Sequence, residues 1–203
     1  MNIDLREIPT KYINLNRHPE RNEKMGQLIE AVKFNDIERV QGVDMPNDSM
    51  AGCASSHLQI FSSMSGPTTI LEDDCELRNK NYLIDIPDNT DALYLGLSSW
   101  ALNVESGMQW IHSFVPVDGY PHLTKINNML ATHAILYVSD EYKEMCIRAA
   151  KYSARNSVHV DVSFARFQRF YNVYALNDPI FYQSSNTKAT DITFDQIKNR
   201  KHK

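Results

Sequence analysis

Short apolar runs alternate with amphipathic stretches along almost the whole chain. Residues 11–15 read as a short buried strand. Pro19 suits the first turn of a following helix, in which Met25, Leu28, Ile29 and Val32 recur at i, i+3, i+4 and i+7. Residues 37–43 predict a second strand, followed by a loop through Met45-Pro46-Asn47-Asp48. Cys53, Ala54, His57, Leu58 and Phe61 share one face of a second helix, which Gly66-Pro67 ends. In residues 69–74 the apolar Ile70 and Leu71 then lead straight into Glu72, Asp73 and Asp74. Residues 92–97, 111–117 and 133–138 predict three more strands. Ser139 is placed as an N-cap, with Asp140 and Glu141 in the first turn of its helix and Tyr142, Met145, Cys146 and Ala149 on the inner face. Residues 161–170 read as a short helix and 173–176 as a late strand. Strands alternating with helices predict an α/β fold, with a mostly parallel central sheet and helices on both faces.

Composition narrows the class. With 203 residues, 42% of them hydrophobic, the chain can bury one good core. Nothing divides it, so a single domain is expected over residues 1–195, followed by a frayed basic tail over 196–203. A formal charge of −4 argues against a broad nucleic-acid-binding face. No apolar run approaches the roughly 18 residues of a membrane span, and the opening Met-Asn-Ile-Asp-Leu-Arg-Glu does not read as a signal peptide. Cys53, Cys75 and Cys146 are too scattered for a metal motif and read as reduced thiols, so a cytoplasmic protein is expected.

The chemistry concentrates where the apolar run meets the acids. Carboxylates at a strand's C-terminal end sit where open α/β sheets bind ligands. Three in a row repel one another unless a cation lies between them, and hard oxygen donors suit Mg²⁺ or Mn²⁺, which also bind phosphate. An acidic surface turn is the plain alternative. Two further segments bear on the choice: Tyr12-Ile13-Asn14-Leu15-Asn16-Arg17-His18-Pro19-Glu20-Arg21, and Gly52-Cys53-Ala54-Ser55-Ser56-His57-Leu58. In order and spacing these pieces, with Ile70-Leu71-Glu72-Asp73-Asp74, resemble glycosyltransferase family 25, the group of lipooligosaccharide and collagen galactosyltransferases. Asn16 stands where that family usually has Asp. Further echoes are residues 132–139, Asp161 within Val160-Asp161-Val162, and Pro179-Ile180-Phe181-Tyr182-Gln183.

The resemblance implies a GT-A-like nucleotide-sugar transferase fold. It also implies Mn²⁺ or Mg²⁺ as cofactor, a UDP-sugar as donor of a hexose, a hydroxyl acceptor (a surface glycan, a protein or a modified nucleobase) and inversion. On that reading Asp74 is the metal ligand, and Glu72 holds the metal, a metal-bound water or the ribose. Asn14, Leu15, Asn16, Arg17, Arg21, Ser56, His57 and Asp73 belong to the donor pocket. Arg21 could equally make a surface ion pair, His57 could be a core residue, and Asp73 could face solvent. His133 reads as a metal or acceptor contact or as a strand-edge residue. An inverting transfer needs a general base; Asp161 is the candidate, with a helix N-cap as its alternative role. Asp44 and Asp118 read as turn residues. The rival classes are a metal-dependent nucleotidyltransferase or phosphohydrolase, which would ordinarily carry a Gly-rich or Lys-bearing phosphate loop, and a non-catalytic nucleotide- or glycan-binding descendant.

Overall fold

The computed structural model describes residues 1–100, 113–184 and 190–198. Its strands are β1 (Asn2–Asp4), β2 (Thr10–Asn14), β3 (Ile37–Gln41), β4 (Thr68–Glu72), β5 (Cys75–Leu77), β6 (Leu83–Asp85), β7 (Ala92–Tyr94), β8 (Ser113–Val117), β9 (Tyr120–Asn127), β10 (Ala134–Tyr137), β11 (Val173–Leu176) and β12 (Phe181–Gln183). The helices are α1 (Pro19–Val32), α2 (Ser49–Phe61), α3 (Asp140–Asn156), α4 (Val160–Ala165) and α5 (Phe194–Lys198).

Eight strands form one sheet in the order β3-β2-β4-β10-β7-β11-β9-β8. β2 runs parallel to β3 and β4, and β7 runs parallel to β11. Of these eight, β9 and β10 run against the others, so the fold is α/β with a mostly parallel central sheet. The two faces carry separate cores. On one, Met25, Leu28 and Val32 of α1 pack with Leu71, Leu93 and Leu136. On the other, α2, α3 and α4 place Ala54, Ile60, Phe61, Met145, Cys146 and Phe164 against Ile70, Tyr94 and Tyr137. Two short ribbons, β1–β6 and β5–β12, lie outside the main sheet.

Local chemistry sets the helix ends. Ser139 caps α3 by accepting the Tyr142 N–H at 3.2 Å, and Asp48 caps α2 by accepting that of Ala51 at 2.9 Å. The α2 face differs from the sequence reading. Cys53 is exposed and Leu58 only half-buried, while Ala54, His57, Ile60 and Phe61 turn inward. The stretch 161–170 is α4 followed by a 3-10 turn, Gln168–Phe170. Periodicity missed that break, because Gln168 is drawn inward to satisfy buried groups. It donates to the Tyr94 hydroxyl and the Met129 carbonyl, each at 2.8 Å, and accepts the Met129 N–H at the same distance. Residues 111 and 112 of the strand expected over 111–117 lie outside the described residues, as do residues 199–203 of the tail; Ile197 within α5 is buried. No helix among the described residues is long and apolar enough to cross a membrane.

Gly96 continues the line of β7 beside β10. A Cβ there would lie 1.9 Å from Nε2 of His133, which is buried at the start of β10. His133 is buried, so its ring can give way only by displacing packed neighbours. Gly96→Ala should therefore destabilise the fold by about 1–3 kcal/mol. In the Gly96→Ala/His133→Ala double variant the loss should be smaller than the sum of the single losses, because the clash is shared. Urea unfolding measures all three variants; strictly additive losses would show that the close approach carries no energy.

Candidate functional site

In a parallel arrangement β2, β3 and β4 all deliver their C-terminal ends to one edge, and Asn14 and Glu72 are the last residues of their strands. The start of antiparallel β10 comes to the same edge, bringing Ala131, Thr132 and His133. α2 lies across it.

Two cavities of about 250 and 260 Å³ open here and meet at Ser49, Cys53 and Glu72, which line both. Arg17, His18, Arg21, Asp73 and Asp74 line one of them, together with Leu15, Ser56 and His57. The other is lined by Thr132, His159 and Asp161, and by Ser98, Trp100 and Gln183.

The three adjacent carboxylates meet three different surroundings. Asp73, placed by the sequence either in the pocket or facing solvent, is 8% exposed. One oxygen accepts from Asn14 Nδ2 at 2.8 Å and the other from Arg21 at 2.9 Å. Asp74 accepts from Gln183 Nε2 at 3.0 Å and lies 3.8 Å from Arg21. Glu72 Oε1 accepts from Thr132 Oγ1 at 2.6 Å and from His57 Nε2 at 3.1 Å. A carboxylate only accepts, so His57 carries its proton on Nε2. Burial opposes the charge on Glu72, but hydrogen bonds from His57 and Thr132 and the neighbouring imidazoles outweigh it and hold the carboxyl below its ordinary range. The mutual repulsion expected of the triplet is thus answered largely by the protein's own donors.

Asn14 is buried with its amide spent. It donates to Asp73 and to the His18 carbonyl, and accepts two N–H groups of Arg39 at 2.8 and 3.0 Å. It does not line either cavity; it holds Asp73 from behind and presents no free polar atom to a ligand. Arg39 also reaches Asn16 at 2.7 Å. Arg17 pairs with Asp44 at 2.9 Å, both half-exposed. Ser56 is likewise committed: its hydroxyl donates to the Gly52 carbonyl and accepts the Val43 N–H, each at 2.8 Å. Gly52 has its own reason, since a Cβ would come within 2.8 Å of the Val43 carbonyl. Much of the Gly-Cys-x-x-Ser-His string therefore clamps the loop after β3 onto α2.

Asp161 is not an N-cap. His159 holds that position, and Asp161 is the second residue of α4. Its carboxylate crosses to the Ala131 N–H at 3.0 Å and also accepts the Val162 N–H at 2.7 Å. His133 is neither at a strand edge nor on a cavity wall. β10 is central, and the imidazole is wholly buried with neither ring nitrogen at hydrogen-bonding geometry.

Cys53, Arg39, Thr132, Gln183, His159 and Trp100 were not assigned a role from the sequence. Cys53 stands four residues before His57 on the same helix, a spacing that could have marked it. Gln183 lies in the quoted Pro-Ile-Phe-Tyr-Gln string. Arg39 has no motif; it meets Asn14 because the β2–β3 register sets Tyr12 opposite Arg39. Burial, then the charges of Glu72, Asp161 and Asp74, push the Cys53 thiol up, although solvent reaches it through the cleft.

No family model matches the chain, and no curated protein matches it. Among solved structures it is similar to a glycosyltransferase involved in the glycosylation of the major capsid of PBCV-1, with 9% identity and a TM-score of 0.43 over 74% of this chain and 68% of that one. It is similar also to the apo-form glycosyltransferase GlyE of Streptococcus pneumoniae TIGR4, with 10% identity and a TM-score of 0.47, over 82% of this chain and 44% of that one. A third is the catalytic domain of Drosophila beta1,4galactosyltransferase 7 in complex with xylobiose, with 11% identity and a TM-score of 0.41, over 97% and 81%. These likenesses are distant, and the functional reading rests on the cleft.

His133 gives the fold an acid-sensitive element. Burial drives its pKa down from 6.5 to about 4, against the pull of the Glu72 charge. Between these values the unfolded chain binds a proton that the folded protein does not, so stability falls as pH falls from about 6.5 to 4, and the loss is complete below that. At full extent it should be on the order of 3 kcal/mol. Urea unfolding across this window should show a flatter pH dependence for His133→Asn than for the native chain. The slope is what matters, so a uniform loss of stability in the variant does not disturb the test; equal slopes would remove His133 as the cause.

Proposed function

We propose that this chain is a glycosyltransferase of GT-A type, resembling family 25, that moves a hexose from a UDP-sugar to a hydroxyl acceptor with inversion. The observation that carries this reading is the bipartite cleft. One cavity combines arginines, a histidine and carboxylates, the chemistry suited to a nucleotide diphosphate; its neighbour combines a carboxylate, a histidine, hydroxyls and the aromatic face of Trp100, suited to a sugar and its acceptor. A hydrolase needs only water beside its phosphate site, whereas a transferase needs room for two substrates.

Arg17 and Arg21 supply positive charge where the diphosphate would lie. Arg21 is already oriented by Asp73, so little side-chain freedom is lost when an anion arrives. A divalent cation fits the remaining donors: Glu72 has a carboxylate oxygen outside the His57 and Thr132 bonds, and Asp74 faces the same cavity. Mn²⁺ or Mg²⁺ held there would neutralise charge developing on the departing diphosphate. Asp161 takes the proton of the acceptor hydroxyl as its oxygen attacks the anomeric carbon and the bond to the diphosphate breaks. Free cysteines are compatible with work in a reducing compartment such as the cytoplasm.

UDP binding should depend on Mn²⁺ or Mg²⁺, and Asp74→Asn should remove most of that dependence. Calorimetry with and without a chelator decides the matter; equal UDP affinity in both conditions would sink the cation assignment.

Asp161→Asn separates the base from a structural anchor. The amide oxygen can still accept the Ala131 N–H, so folding and UDP binding should persist while transfer slows by roughly 10²-fold or more. Release of UDP from UDP-sugars, screened against candidate hydroxyl acceptors, provides the assay. Turnover near normal in the variant would place the base elsewhere.

A further inference from the structure

We propose that Cys53, His57 and Glu72 form a three-ligand site for a thiophilic divalent cation of the Zn²⁺ class, at the junction of the two cavities. This stands on the side chains alone and does not depend on the transferase reading. The Cys53 sulfur, a ring nitrogen of His57 and a carboxylate oxygen of Glu72 all lie within 4.8 Å of one another. Bonds of about 2.0–2.3 Å around a tetrahedral ion need ligand separations of about 3.3–3.8 Å, so the cluster needs to close by only about 1 Å.

Two features make the grouping more than proximity. Cys53 and His57 are four residues apart on α2, one turn from each other, with Cys53 at the exposed margin and His57 inside, while Glu72 ends the strand facing them. Glu72 is steadied from outside by Thr132, as metal-binding carboxylates usually are.

The donor set differs in kind from the all-oxygen site of Glu72 and Asp74. Binding releases the Cys53 thiol proton to solvent and moves the His57 proton from Nε2 to Nδ1, and the resulting thiolate and imidazole nitrogen select Zn²⁺ over Mg²⁺ or Mn²⁺. Three protein ligands leave a fourth position for water or a substrate oxygen. Cys53 and Glu72 line both cavities, so that position opens into the cleft.

The test titrates untagged, chelator-treated full-length protein with Zn²⁺, and separately with Co²⁺ as a spectroscopic probe, in the absence of nucleotide. The expected result is one equivalent of Zn²⁺ bound and a cobalt–thiolate charge-transfer band. Removing even an outer partner of a metal ligand costs roughly 10–100-fold in affinity. Cys53→Ala and Cys53→Ser should therefore lose at least about 100-fold and both lose the band, while circular dichroism stays native. Cys75 and Cys146 are buried and cannot substitute. Absence of the band in the native chain, or unchanged Zn²⁺ affinity in both variants, overturns the proposal. Because no nucleotide is present, that outcome leaves the UDP experiments standing, and their failure leaves the Zn²⁺ result standing.

Discussion

A carboxylate removed from water must be met by charge or hydrogen bonds, or the fold loses several kcal/mol. Asp73 is the residue under that constraint, and its two partners tie three elements together. Asn14 reaches it from the end of β2 and Arg21 from the first turns of α1. Asn14 can offer its N–H groups to Asp73 only by turning its oxygen the other way, and there Arg39 of β3 meets it. The ends of β4 and β2, the middle of β3 and the entry of α1 are thereby fixed relative to one another. Arg21 is held at the cavity wall by the same bond.

With Asp73 neutralised internally, its neighbours are left for chemistry. The chain leaves β4 in a turn at Asp73 and Asp74, which points the three side chains in different directions and gives Glu72 to His57 and Thr132, and Asp74 to Gln183. All three acids line the cavity, and Asp73 is the one whose two oxygens are both engaged by Asn14 and Arg21. A cation at the outer pair would add to an arrangement already balanced, rather than rescue an unstable one.

The fold was legible where periodicity and capping chemistry are local. The spacing of Met25, Leu28 and Val32 and the cap at Ser139 belong to this class, as does the apolar run of β4. Short strands such as β5, β6 and β12 were not legible, because three residues carry no period and their pairing is settled by partners far away in sequence. The same holds within the cleft. The motif strings marked Glu72, Asp74 and His57, but not which atoms would be spent: Asn14 and Ser56 proved to be committed to the protein's own backbone and side chains. Arg39 was invisible because only strand register brings it to Asn14.

The distance between the two halves of the cleft is set by a loop that sequence patterns do not describe. Asn128 and Ala131 both adopt positive φ, 60° and 72°, conformations that cost a non-glycine residue roughly 1 kcal/mol or more. Such strain persists only where neighbours over-determine it. Gln168 grips both polar groups of the Met129 backbone, and Asp161 accepts the Ala131 N–H. The next residue, Thr132, donates to Glu72. Asp161 in one cavity and Glu72 at the junction are thus attached to consecutive residues of a single strained turn. Any shift of that turn moves the acid proposed as base relative to the acid proposed to face the donor, so its rigidity would constrain the proposed transfer as directly as the carboxylates themselves.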